Sequence, residues 1–204
     1  MDKKRLKLNG LIGFYPANTV GDDIEIYADE TRGEKTHTFH TLRQQAEKDV
    51  EEPYMALSDF IAPKSSGVKD YLGMFVATAG IGLDELVAEY KVANDDYSYI
   101  MAEALADRLA EAFAELMHEQ VRKDHWGYAK DEAFNCDDLL KVKYQGIRPA
   151  PGYPTQPDHT EKGTMWDLMD VEKEIGVELT ESFAMLPSAS VSGMYFAGKS
   201  STYF

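Results

Sequence analysis

The first forty positions read as β-prone stretches and turns, with apolar and polar residues alternating over 24–28, and then the period lengthens. Residues 11–15 are β-prone and end at Pro16, "NTVGDD" carries turn chemistry, and Ile24, Ile26 and Ala28 alternate with Glu25 and Tyr27 at period two. A second turn, "DETRGEK", leads into "THTFHT", so the opening predicts a β-meander. The polar stretch "LRQQAEK" predicts a short helix, and "PYMALSDFIAPKSSG" a strand followed by a loop. Residues 71–80 are apolar at most positions, as in a strand buried on both faces.

The pattern then shifts to helical spacing. "IGLDELVAEYKVAND" predicts one amphipathic helix, and residues 97–122 the longest one. Its apolar face is read as Ile100, Met101, Ala104, Leu105, Leu109, Ala112, Phe113, Leu116 and Met117. Asp95 and Asp96 at its start, and Arg122 and Lys123 at its end, complement the helix dipole. "DEAFNCDDLLKVKY" gives one or two short helical turns, and "TMWDLMDVEKEIG" another helix closed by Gly176. "VELTESFAMLPSASVSGMYFAGKSSTYF" predicts a final hairpin, with "STYF" read as a strand cut in the middle. Strands and helices come in mixed blocks, which predicts an α+β fold with an antiparallel sheet in one domain spanning residues 1–204.

Composition narrows the function classes. The chain has 204 residues, 44% hydrophobic and 28% charged, enough to bury a core. Its net charge of −15 argues against nucleic acid as a partner, because phosphate binding needs clustered Lys and Arg. The basic clusters "KKRLK" and "VRK" read as solvated surface. No apolar run approaches the roughly 20 residues of a membrane span, and "MDKKRLKLNG" has no apolar core of a secretory signal. The single cysteine, Cys136, excludes an internal disulfide framework and a cysteine-based zinc site. A cytoplasmic protein is expected.

Few residues suggest chemistry. His37 and His40 fall on opposite faces of a strand, a poor arrangement for a shared metal, and no metal ligand set is read. Asp107, Glu111 and Glu115 recur every four residues on the long helix. Like charges at that spacing repel by about 0.2–0.5 kcal/mol per pair, which Arg108 could relieve by pairing with Glu111 or Glu115. They form either a solvated face or a carboxylate aimed at a cation in a cleft. There is no dinucleotide or phosphate loop and no nucleophile elbow, and Cys136 has no activating base, so no catalytic residue is assigned.

"RPAPGYP" stands out. Arg148 precedes Pro149, which biases it to an extended backbone, and Pro149, Pro151 and Pro154 fix φ and remove three donors. Gly152 permits a sharp redirection. Such a loop is stiff before anything binds, and arginine matches a carboxylate bidentately. The pattern fits either a small-molecule site for a ligand with a carboxylate and a planar group, or a surface connection with an ordinary salt bridge.

Four segments carry a family resemblance: "GFYPANTVGDDIEIYADETR", "ALADRLAEAFAELMHEQVRK", "YQGIRPAPGYPTQPDHTEK" and "LTESFAMLPSASVSGMYF". Together they resemble the C-terminal activation domain of cobalamin-dependent methionine synthase, over essentially the whole chain. The resemblance implies a C-shaped α+β domain around a bent antiparallel sheet. It implies S-adenosylmethionine as ligand and methyl donor for reductive methylation of cob(II)alamin, the cobalamin being held by another domain of the same polypeptide. Flavodoxin or a flavoprotein reductase would supply the electron. The whole enzyme would be a methyltransferase, moving methyl from 5-methyltetrahydrofolate to homocysteine, and this chain alone would not complete that reaction.

By the family's pattern, Arg148 would grip the ligand carboxylate, with Pro149, Ala150 and Gly152 meeting adenine and ribose. Tyr153, Tyr203, Phe204 and Glu111 would join the ligand site, Tyr153 on the side towards the corrin, and Asp107 would face the corrin. The resemblance also places the family's start upstream of Met1, in a segment whose aspartate would contact the ligand. An acid that some members carry six residues before the arginine is Val142 here. The alternative is an interaction module that docks flavodoxin and the cobalamin domain without binding ligand, with a basic patch near Arg122 and Lys123.

Overall fold

A computed structural model describes residues 5–48 and 52–204; Lys3 and Lys4 of the first basic cluster lie outside them. The meander forms: β1 (Lys7–Val20), β2 (Asp23–Tyr27) and β3 (Lys35–His40) pair antiparallel in sequence. β4 (Asp70–Ile81) pairs along β1, and β7 (Ser190–Tyr195) along β4, giving the sheet order β3-β2-β1-β4-β7. β1 does not end at Pro16. It pairs with β4 up to Ala17 and with β2 from Ala17 onward, so the proline nitrogen sits where one flank carries no ladder. Two short strands, β5 (Glu178–Leu179) and β6 (Met185–Leu186), form a separate hairpin. Residues 201–204 are irregular rather than a strand.

β4 is buried along nearly its whole length, and its apolar run is buried on both faces as expected. Leu72, Met74 and Val76 join one core with Ile24, Ile26, Phe39, Met165 and Met194, while Phe75 and Ala77 face a second core with Tyr195 and Met117. α4 (Glu161–Met169) and α5 (Val171–Ile175) cover the first face. The single helix expected there is two, because Asp170 adopts a left-handed conformation at φ 52° between them; Gly176 closes the second.

The second face is covered by α2 (Asp96–Gln120), with α1 (Leu83–Val92) packed against it. Asp95 caps α2 by accepting the Ser98 backbone N–H at 3.0 Å. The buried stripe of α2 is Ala102, Ala106, Ala110, Ala114, Met117 and His118, and of the set read from the pattern Met117 alone is fully buried. Ile100, Met101, Leu105 and Leu116 are exposed. The bulk comes from the other side, from Phe75 and Tyr195 of the sheet and Leu83 and Val87 of α1, so alanine lets the helix approach closely. α2 ends in a π turn over Val121–His125, and a short α3 (Cys136–Leu140) follows.

Residues 42–48 form no helix. Arg43 clamps the segment, donating to Asp59, Asp22 and the Tyr54 carbonyl, and the Leu42 and Gln44 amides are taken by Thr155 and Met55. The expected strand after it is instead a pair of 3₁₀ turns, Leu57–Phe60 and Lys64–Ser66.

Candidate functional site

The proline loop begins at an isolated antiparallel bridge beside the end of β7. Ile147 exchanges backbone hydrogen bonds with Phe196 at 3.0 Å each way, and the Met194 amide donates to the Pro149 carbonyl at 2.9 Å. Pro149 contributes only its carbonyl to this edge, so its missing N–H is not needed. Gly193 permits the contact: a Cβ there would lie 2.8 Å from the Pro149 oxygen. Further on, the chain reverses at Gly152, at φ 102°, where a side chain would strike the His159 ring. The Leu42 amide donates to Thr155 O at 2.9 Å, and Gln156 Nε2 donates to His40 O, which fastens the loop's second half to the end of β3.

Amides along a paired strand point alternately to either side. The Arg148 N–H therefore points away from β7, where the Tyr203 hydroxyl accepts it at 2.9 Å. This bond carries the last residues of the chain across to the loop, and Phe204 packs on Phe60 with ring centroids 6.0 Å apart. Between loop, chain end, β7 and α2 lies a cavity of about 310 Å³.

Seven of the eight expected ligand residues line this cavity: Glu111, Arg148, Pro149, Ala150, Tyr153, Tyr203 and Phe204. Gly152 shapes the turn and does not line it. Tyr153 is 65% exposed, at the rim. Asp107 lies one turn from Glu111, in an adjoining polar cleft of about 370 Å³ that shares Glu111 and Val191 with the cavity.

Sequence reasoning missed the apolar walls, Leu57, Phe75 and Ile147, and also Ser192, whose hydroxyl is buried without a partner. These positions are ordinary core residues in sequence, and no spacing marks them.

It also missed what holds Arg148. Glu115 pairs not with Arg108 but with Arg148, whose Nη2 donates to Glu115 Oε2 at 2.6 Å. Nη1 donates to the Tyr144 hydroxyl at 2.9 Å and to His118 Nδ1 at 3.2 Å. Arginine cannot accept, so His118 Nδ1 carries a lone pair and its proton sits on Nε2, 3.5 Å from the Tyr128 hydroxyl. Burial, and then the charges of Arg122 and Arg148, hold the His118 pKa down to about 2, so the ring is neutral. Burial pushes the Tyr144 hydroxyl up to about 12.

Arg122 is no part of an exposed basic patch. It is fully buried, gripping both Glu132 carboxylate oxygens through Nε at 3.0 and 2.9 Å, and its guanidinium lies 4.1 Å from the Tyr144 ring centroid. Lys123 pairs with Glu119 at 3.2 Å. The docking patch expected of the alternative reading is therefore absent at these two residues. His37 and His40 each meet an acid, Asp167 at 2.9 Å and Asp23 at 2.8 Å, and among the described residues no group of His, Cys, Asp and Glu could hold a metal. A roomier groove of about 670 Å³ lies beside the β1–β2 turn, but its charged residues Asp59 and Lys64 are already paired with Arg43 and Glu25. Among the described residues no helix is long and apolar enough to cross a membrane.

The family model described as vitamin B12 dependent methionine synthase, activation domain, matches residues 1–204. A solved structure described as the crystal structure of the MetH reactivation domain bound to AdoHcy is similar to this chain, with a TM-score of 0.94 and 55% sequence identity. The similarity covers 99% of this chain, which spans 62% of the length of that one.

Proposed function

The chain belongs to the activation-domain family of vitamin B12-dependent methionine synthase, and from that premise we propose that it binds S-adenosylmethionine in the cavity under the proline loop. The observation that carries this reading is the convergence of seven family-matched residues, 93 positions apart at the extremes, on one cavity of about 310 Å³. That size is at the lower end of small-ligand sites. The similar solved domain, described as bound to AdoHcy, supports the same ligand class.

The residues suit each part of the ligand. Arg148 keeps Nε and one Nη2 hydrogen outside its three hydrogen bonds, enough for a carboxylate. Leu57, Phe75 and Ile147 give apolar walls for the planar base, and Pro149 and Ala150 of the loop line the same cavity. Glu111 and, in the adjoining cleft, Asp107 place negative charge towards the ligand's ammonium and sulfonium. Tyr153 and Asp107 flank the open side, where a corrin from another domain of the polypeptide would approach. Cobalamin supplies the methyl acceptor when that domain is docked, and flavodoxin or a flavoprotein reductase supplies the electron. The residues of this chain hold and aim the methyl donor, and the methyltransferase reaction belongs to the whole protein.

Calorimetric titration of S-adenosylmethionine and S-adenosylhomocysteine into the wild-type chain and into Arg148→Ala tests this. Both ligands should bind the wild type, and Arg148→Ala should weaken both at least tenfold, the cost of losing a charge-assisted contact. Because Arg148→Ala also strands Glu115, its thermal melt is recorded alongside. A folded wild type that binds neither ligand would sink the reading.

A further inference from the structure

A guanidinium on a flexible stem can turn its five N–H groups many ways. Arg148 cannot. Its three hydrogen bonds run to partners from two separate segments, Glu115 and His118 on α2 and Tyr144 in the loop after α3. Two of the three partners, His118 and Tyr144, are themselves fixed. His118 is wholly buried, stacked on Tyr195 with ring centroids 4.9 Å apart and meeting Tyr144 edge-on at 5.1 Å. Tyr144 is 6% exposed, with the Arg122 guanidinium over its ring and Arg122 locked by Glu132. The Tyr144 hydroxyl is thus the far end of a rigid chain, Glu132 to Arg122 to Tyr144, that ends on Arg148.

We infer that Tyr144 is a positioning residue: with Glu115 and His118 it fixes the Arg148 guanidinium, so that only Nε and one Nη2 hydrogen remain to meet the carboxylate of a ligand in the cavity. The inference rests on the reading of that cavity as the S-adenosylmethionine site. It deepens it by assigning carboxylate recognition to a buried assembly rather than to one arginine.

The test pairs Tyr144→Phe with two ligands, S-adenosylmethionine and its decarboxylated analogue, which keeps the sulfonium and the amine. Tyr144→Phe deletes one acceptor of a charged donor and keeps the ring under Arg122. Its dissociation constant for S-adenosylmethionine should rise about five- to tenfold, while that for the decarboxylated analogue stays within about twofold. Equal weakening of both ligands, or no weakening of either, overturns the positioning role. Wild-type protein that binds neither ligand overturns the site reading and the inference with it, whereas selective binding by wild type with an indifferent variant overturns the inference alone. Should Tyr144→Phe fail to fold, nitrogen-15 NMR of ligand-free wild type decides. Separate, slowly exchanging Nη signals from Arg148 are expected, and one averaged signal would refute a fixed guanidinium.

Discussion

The Tyr203 hydroxyl accepts the backbone N–H of Arg148 at 2.9 Å, across 55 residues of sequence. One bond thereby joins the chain's last residues to the loop that carries the candidate ligand arginine. The amide it satisfies points away from β7 and has no ladder partner there.

Tyr203→Phe should therefore cost about 0.5–1.5 kcal/mol of stability, the usual worth of one such bond. The tyrosine is 46% exposed, so water can replace the hydroxyl and the lower half of that range is expected. Urea denaturation gives the number. Hydrogen exchange should show faster opening at the Arg148 amide with β4 unchanged, and uniform loss of protection would contradict a local staple.

Arg122 and Glu132 form a salt bridge with side chains 0% and 4% exposed. Arg122→Met alone, or Glu132→Leu alone, leaves a buried charge without its partner and should cost about 3–5 kcal/mol. The double replacement should cost much less than either single change, because the desolvation penalty leaves with both charges. A double-mutant cycle in urea that returned additive losses would refute this.

The depressed pKa of His118 makes stability fall with acid. The unfolded ring takes up a proton near its ordinary value of about 6.5, whereas the folded ring resists until about 2. Below pH 6.5 the unfolded state therefore binds more protons, and stability drops by up to about 1.4 kcal/mol per pH unit from this group. His40 acts in the opposite sense: its hydrogen bond to Asp23 raises its pKa, so its contribution is present below about 6.5 and lost as pH rises. It is largely exposed, and its share is small. Between pH 6.5 and 5, wild type should lose stability, and His118→Gln should lose distinctly less. Parallel profiles would show that His118 is not the group responsible.

Val142 closes α3 in a position that favours glycine. Its amide donates to Leu139 O and the Lys143 amide to Asp138 O, the paired bonds of a Schellman ending, with Val142 itself at φ 52°. A β-branched residue in that region is strained, and this one is 42% exposed, so it gains little packing in return. Val142→Gly should raise stability by about 0.5–1 kcal/mol. A lower melting temperature for the variant would count against that geometry.

Legibility in the sequence followed local physics. The meander, β4 and the extent of α2 were readable because period and apolar runs fix them. The buried face of α2 was not, because its alanines are small and the bulk that covers them belongs to Phe75, Tyr195, Leu83 and Val87. Residues 42–48 have helical composition, but Arg43 binds Asp22 and Asp59 and ties the segment to its neighbours without a helix. In the site, Arg148 was visible through its prolines and the family pattern. Its partners Glu115, His118 and Tyr144 were not, since hydrogen bonds spanning 33, 30 and 4 residues leave no periodic mark. Arg122 was misread as surface because Glu132, which neutralises it, is separated from it by a turn rather than a helical repeat.

The run of residues 147–149 along β7 has a consequence for how the protein behaves among its own copies. A bare outer strand invites another chain to add to the sheet. Here one end of that strand is already taken, at Met194 and Phe196, and the segment that takes it continues through Pro149, Pro151 and Pro154, which have no amide hydrogen to extend a ladder. At the opposite edge, the His40 amide at the end of β3 is claimed by Glu161 of the covering helix. The loop that shapes the cavity is thus also a guard against self-association. Replacing its prolines with donor-bearing residues should first be felt as aggregation, while the individual molecules remain folded.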